Sequence, residues 1–386
     1  MLSFNLNAQS WTKQSDFPVG KHHPISFSIN GLGYAVTGTA PNNLPTNDVF
    51  RYDPKKDSWS ILDDFPGSAR SFGIGVVNKG KAYIGLGAST TQYLRDFWRY
   101  DAETEEWTRL KDCGCAGRRH PAMITVGDYI FVGLGDNANG NLNDWWSYDI
   151  KTDNWIRTSN LPGTGRHHPF MFNAGGELYA GLGHAGQTIF KDWYKLDTSD
   201  GTWTAVKDFP GEARVAGTQF DLNGTGYVLS GDGDNHSYMP TGEMWSYNSS
   251  DDSWKQLTSH PGRSRWAPGS FVIHNAVYLF GGLDRFTRTF PTEMYKFQLE
   301  PEPVSTDNLS SININVYPNP ANGFVSWNTT EKITEVKIYN IQNQLIVSKT
   351  GDISKIETKD LINGLYMVQL YSDGALLTTE KVLVQH

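Results

Sequence analysis

Trp11, Trp59, Trp107, Trp155 and Trp203 stand 48 residues apart, and Trp254 follows 51 residues after the last of them. A spacing kept that strictly means one structural unit repeated in tandem. Within each unit the same order returns: a glycine-ended apolar run (KAYIGLG, YIFVGLG, ELYAGLG, AVYLFGG), a loop, an aromatic run (VFRYD, FWRYD, WWSYD, MWSYN), then the tryptophan. Apolar and aromatic residues recur in these runs with strand spacing rather than helix spacing. Four short strands repeated every ~40 to 50 residues are the pattern of a β-propeller blade.

Six aromatic runs can be counted, the last being EMYKFQ at Glu293 to Gln298. Five of them are followed by a tryptophan at a fixed offset, but the count from Phe297 lands on Val304. The sixth unit lacks its outer strand, and QSWTKQ near the N-terminus is an outer strand with no unit before it. The two halves fit together, so residues 9–300 are expected to form six blades, with the Trp11 strand completing the last and leaving no exposed edge. The period then stops. A Pro- and Ser-bearing linker, residues 301–311, leads into residues 312–386, where short strands between regular turn signals predict a small β-sandwich. The expected fold class is all-β throughout, in keeping with Gly 39, Trp 13, Tyr 18 and Phe 19.

A net charge of −8 opposes a broad electrostatic grip on nucleic acid or anionic lipid, because both need clustered Lys and Arg. No apolar run reaches the ~20 residues that span a bilayer. The start MLSFNLNAQSW reads as the remnant of a secretory signal over residues 1–8, with Ala8 at the cleavage point. Cys113 and Cys115 are too few for a disulfide framework. The pair could close a disulfide or bind a soft metal, but two inert loop thiols are the expectation.

Two resemblances add to this. The 48-residue unit resembles the kelch repeat, with the double glycine intact at Gly281 and Gly282 and replaced by Gly-Leu-Gly in blades two to four. The C-terminal segment, through VYPNPANGFVSW, EVKIYNIQNQLI, IETKDLINGLYMVQL and EKVLVQH, resembles the type A sorting domain of the type IX secretion system of Bacteroidetes. That resemblance implies export by the type IX machinery, removal of the domain, and release or outer-membrane surface attachment of the propeller.

Aligning the units against one another brings out a cation before each innermost strand: Lys21, Arg70, Arg118, Arg166, Arg214 and Arg265. An acid opens each third strand: Asp48, Asp96, Asp144, Asp192, Glu243 and Glu293. Six copies of opposite charge predict blade-to-blade structural ion pairs rather than a ligand site, since what repeats in every blade is scaffold. What breaks the symmetry is the better functional candidate. Two residues past each cation, on the same side by strand alternation, stand His23, Phe72, His120, His168, Ala216 and Ala267; one residue past stand His22, Ser71, Arg119, His167, Val215 and Trp266. Loops opening on the same side supply Asp136, Asn137, Asn139, His184, Asp232, Asp234, Asn235, His236, Asp284 and Arg285.

The candidate ligand-binding set is therefore His23, Arg119, His120, His167, His168, His184, Trp266 and Arg285 at one mouth of the central channel. Arginine can grip a carboxylate bidentately and an indole can cover a sugar face, so a glycan or an acidic small molecule or peptide is the expected partner, bound by a monomer. An imidazole there would strengthen the grip on a carboxylate as pH falls through about 6.5. The alternative is a carbohydrate-active enzyme similar to kelch mutarotases or epimerases of sialic acid, with His120 or His168 as acid/base; a third reading is a structural adhesin surface. No cofactor is expected. A zinc or copper site is set aside because blades one and four lie across the ring, which leaves His120 and His168 as the only easy pair.

Overall fold

The computed structural model describes residues 10–299, 314–329, 331–340, 345–372 and 375–386. The signal remnant expected at 1–8 and the linker expected at 301–311 lie outside them. The chain divides into two compact units, Met1–Pro301 and Glu302–His386.

The first unit is built of six four-stranded antiparallel sheets, here I to VI. Their innermost strands are Ile25–Ile29, Ile74–Asn78, Ala122–Val126, Phe170–Ala174, Thr218–Leu222 and Gly269–Ile273. Each sheet then runs outward in chain order. Sheet VI takes its fourth strand from Trp11–Gln14, which pairs antiparallel with Met294–Gln298 in the register Trp11 to Phe297. Trp11 Nε1 donates to Thr258 O at 3.0 Å, and its ring lies 5.2 Å from that of Phe297. The unpaired sequence halves thus meet as expected.

The inner strand of sheet I alternates: Ile25, Phe27 and Ile29 are buried against neighbouring sheets, whereas Ser26 and Ser28 line the central cavity and donate to Ser270 O and Val272 O. Second strands such as Leu32–Thr39 are covered on both faces and read as continuous apolar runs. Inner strands of consecutive sheets pack side by side, and that of VI packs beside that of I.

The glycine that ends each second strand explains the sequence repeat. Gly38, Gly87, Gly135, Gly183, Gly231 and Gly282 all have φ between 73° and 109°, a left-handed region that glycine enters without steric cost. In that conformation each amide donates to the carbonyl of the cation residue in the next sheet: Gly38 to Arg70, Gly87 to Arg118, Gly135 to Arg166, Gly183 to Arg214, Gly231 to Arg265, and Gly282 to Lys21. A Cβ on Gly87 would stand 2.4 Å from Ser71 O.

The cation and acid series require a correction. The pairs form within sheets, not between them, because the cation precedes the first strand of its own sheet and reaches past the end of the second to the acid that opens the third. Arg118 donates to Asp144 through Nη1 and Nη2 at 2.8 and 2.9 Å. Arg70 with Asp96, Arg166 with Asp192, Arg214 with Glu243 and Lys21 with Asp48 repeat the contact. Arg265 departs: its Nη1 donates to the main-chain carbonyls of Gly281 and Glu293. What joins neighbouring sheets at this level is the backbone bond from glycine to carbonyl.

The cysteines also differ from expectation. Cys113 and Cys115 form a disulfide, and both are buried. The reason is a second 48-residue series. Phe17, Phe65, Leu161 and Phe209 occupy the equivalent place on the segment between sheets, each at most 1% exposed, and Cys113 falls in line with them. Its disulfide fills with sulfur the wedge that a Phe-Pro pair fills elsewhere. His260 holds the same place before the last inner strand.

In the second unit a three-stranded sheet (Val316–Tyr317, Phe324–Trp327, Lys355–Glu357) and a four-stranded sheet (Leu345–Thr350, Glu335–Asn340, Gly364–Ser372, Ala375–Val384) share one apolar core that includes Val325, Trp327, Val336, Ile338 and Leu370.

Candidate functional site

The position two residues past each cation is a turn, not a strand. His23, Phe72, His120, His168, Ala216 and Ala267 all have φ between 48° and 64°. Side chains adopt this conformation at a cost of order 1 kcal/mol or more, so something must hold it. Backbone bonds between sheets engage five of the six: His23 N to Ala267 O at 2.9 Å, His120 N to Phe72 O at 3.0 Å, and Ala267 N to Ala216 O at 2.6 Å. The left-handed turn, rather than strand alternation, sends these six residues to one end of a central cavity of about 380 Å³.

At that end three histidines converge, whereas only His120 and His168 were expected to pair. His23 Nε2 and His168 Nε2 are 3.1 Å apart although their residues belong to sheets I and IV. The left-handed turn carries both side chains to the cavity that the inner strands of all six sheets line. The His120 ring lies 3.7 Å from that of His168 and 5.2 Å from that of His23. One donor nitrogen from each of the three lies within 4.8 Å of the others.

A second layer orients them. His120 Nδ1 contacts Asp136 Oδ1 at 3.0 Å, His168 Nδ1 contacts His184 Nε2 at 3.3 Å, and His23 Nδ1 contacts His22 Nδ1 at 2.7 Å. His184 Nδ1 in turn lies 3.3 Å from Gly186 O, and His167 Nδ1 2.6 Å from Asn141 Oδ1. Aromatic rings wall the cluster: Phe72 against His23 and His120 at 4.7 and 4.5 Å, and Trp266 against His23 at 4.5 Å.

These imidazoles are held neutral. Burial pushes His23 and His168 well below the usual histidine range, and neighbouring imidazoles add to the effect. Burial likewise lowers His22 and His184 to about 4 and His167 to about 3. For His120 burial lowers the value and the Asp136 carboxylate opposes it. Burial alone would raise Asp136, but hydrogen bonds from His120 and Arg119 outweigh it and hold the carboxyl at about 2. An imidazolium forming near pH 6.5 to grip a carboxylate does not fit this environment.

The two candidate arginines are already paired. Arg119 Nη2 contacts Asp136 Oδ2, and Arg285 Nη1 contacts Asp232 Oδ2, with Asp232 itself buried. The loop residues divide. Asp136, His184 and Asp232 join the histidines and arginines, whereas Asp284 accepts from the amides of Phe286 and Thr287 in its own loop and Asn137 donates to Gly117 O. His236 reaches Gly186 O beside His184.

One signal went unused in the sequence. The residue after each cation bridges to the residue 17 positions on, as His22 to Thr39, Ser71 to Ala88, Arg119 to Asp136, His167 to His184, Val215 to Asp232 and Trp266 to Leu283. That offset couples Arg119 to Asp136 and His167 to His184, and it identifies which loop residue stands beside each candidate.

The described residues define an all-β protein of two units, one an array of four-stranded sheets around a histidine-ended cavity, the other a small two-sheet unit. Residues 315–385 match the secretion system C-terminal sorting domain family, which makes the second unit the sorting signal of a type IX secretion system of Bacteroidetes. The protein is passed to that machinery, secreted and attached at the cell surface. No curated protein matches the chain. No helix among the described residues is long and apolar enough to cross a membrane.

Proposed function

We propose that the first unit is a six-bladed, kelch-like β-propeller that binds a glycan at the histidine-lined end of its central cavity, where Trp266 packs against His23, outside the cell. The ring reading rests on the glycine-to-carbonyl bonds, which step from sheet to sheet and return from Gly282 to Lys21. The observation that carries the ligand reading is the pairing of Arg119 and Arg285 with Asp136 and Asp232. With both guanidiniums neutralised and the imidazoles uncharged, the mouth offers neutral hydrogen-bonding groups beside the Trp266 indole. That suits a hydroxyl-rich ligand better than an acidic one.

A second reading, a mutarotase-type enzyme, draws on the His120–Asp136 contact at 3.0 Å, since a carboxylate-oriented imidazole is the arrangement of a general base. The test is a glycan array on the full-length chain, followed by calorimetry on hits with wild type and Trp266→Ala. Binding of neutral oligosaccharides, weakened at least tenfold in Trp266→Ala at an unchanged melt, is expected. Absence of any hit, or hits indifferent to Trp266→Ala, would refute the ligand reading. Faster anomer interconversion of a bound sugar, lost in Asp136→Asn, would favour the enzyme.

A further inference from the structure

Hydrogen-bond bookkeeping at the histidine cluster leaves lone pairs that no single group among the described residues satisfies together. A carboxylate only accepts, so the His120 proton is on Nδ1 facing Asp136, and Nε2 carries a bare lone pair. That Nε2 is buried with no hydrogen-bond partner among the described residues. A backbone carbonyl also only accepts, so His184 is protonated on Nδ1 facing Gly186, and its Nε2 accepts from His168 Nδ1. His168 Nε2 is then bare as well, 3.1 Å from His23 Nε2. A proton on His23 Nε2 would satisfy His168 alone and leave His120 stranded, at a cost of roughly 1–3 kcal/mol for a buried unpaired acceptor. One group satisfies all three nitrogens together, and that is a cation.

We propose that His23, His120 and His168 hold a single late transition-metal ion of the zinc type, with an open coordination position facing the central cavity. Tetrahedral zinc with bonds of ~2.0–2.1 Å sets its ligand nitrogens ~3.3–3.4 Å apart, so the 3.1 Å separation of His23 and His168 and the 4.8 Å limit on the set need only small ring movements. Three neutral imidazoles suit zinc, copper, cobalt or nickel rather than calcium or magnesium, which prefer oxygen. The outer layer has the form that metal histidines require: Asp136 behind His120, His184 and Gly186 O behind His168, and His22 behind His23. Phe72 and Trp266 shield the ligands, and the cavity lined by all three provides access to the open position.

The inference rests on the histidine geometry and not on the glycan reading, so either can fail alone. The full-length chain, dialysed against chelator, is titrated with Zn(II) by calorimetry, and its Co(II) form is recorded in the visible. One equivalent of Zn(II) is expected, with an intense tetrahedral Co(II) spectrum. His120→Ala should weaken binding at least ~100-fold and Asp136→Asn by about 10–100-fold, whereas His274→Ala, at an exposed turn, should change nothing. Should a ligand variant fail to fold, the wild-type Co(II) spectrum still decides. A pale octahedral spectrum, absence of stoichiometric binding, or wild-type affinity in His120→Ala would overturn the proposal. So would binding that is lost in His167→Ala but kept in His23→Ala, which would place the ion on the neighbouring His167, His168 and His184 set.

Discussion

Arg118→Met keeps most of the side-chain stem and removes the guanidinium, which isolates what the buried cation contributes. Arg118 is fully buried and makes four hydrogen bonds: to Asp144 Oδ1 and Oδ2 at 2.8 and 2.9 Å, to Leu134 O at 2.9 Å and to Ala116 O at 3.1 Å. Removing one partner of a buried ion pair costs about 3–5 kcal/mol, because the other charge is left unpaired in a poor dielectric. Asp144 is 21% exposed and still accepts from Trp146 Nε1 at 2.8 Å, which puts the expectation at the lower end, about 3 kcal/mol. For a unit of this size that is a fall in melting temperature of roughly 6–12 °C. Tryptophan fluorescence reads the first unit almost alone, since Trp327 is the single tryptophan of the second. Arg118→Met with Asp144→Leu should recover part of the loss, because no charge is then stranded. Glu293→Gln should be nearly silent, since Arg265 holds the Glu293 main chain. An Arg118→Met melt within about 2 °C of wild type, or a double variant no better than the sum of the singles, would refute the reasoning.

Removing the chain up to Gln14 should expose the edge of Met294–Gln298, lower the melt by several degrees and speed amide exchange in that strand; unchanged exchange there would contradict the role of Trp11–Gln14. His260, pushed down to about 3 by burial, stays neutral in the fold while the unfolded chain binds a proton near pH 6.5. The unfolded state then holds more protons, so stability falls as pH drops, by about 2 kcal/mol from this residue between pH 6.5 and 5. His260→Phe, which copies the residue at that place in three other units, should flatten this part of the pH profile of the melt. A profile parallel to wild type would refute it.

How much was legible in the sequence depended on whether a feature repeats. The tryptophans, the second-strand glycines and the cations recur at fixed spacing because each copy meets the same neighbours, so the sheets and their order could be read directly. That Arg118 pairs with an acid of the third-strand series was legible too, but not that the acid is Asp144 of its own sheet, because spacing does not say which way a side chain leans. His23, His120 and His168 were expected at one channel mouth from strand alternation, and it is a left-handed turn that brings them to the cavity. Their left-handed backbone cannot be deduced from strand alternation, and without it His23 and His168 look far apart. Cys113 would have been read as buried had it been aligned with Phe17, Phe65, Leu161 and Phe209 rather than judged as a thiol.

The strand that completes sheet VI also imposes an order in time. Thr12 meets Lys296 across 284 positions of chain, so at ~5–20 residues per second the N-terminal strand waits about 15–60 s after its synthesis for its partner to exist. During that interval it is a short, mostly polar segment with an unpaired backbone, open to capture by any other strand edge. The sorting signal, at residues 315–385, is made after Met294–Gln298. A chain that can present it to the export machinery has therefore also made both halves of sheet VI, and fragments lacking Met294–Gln298 lack the address as well.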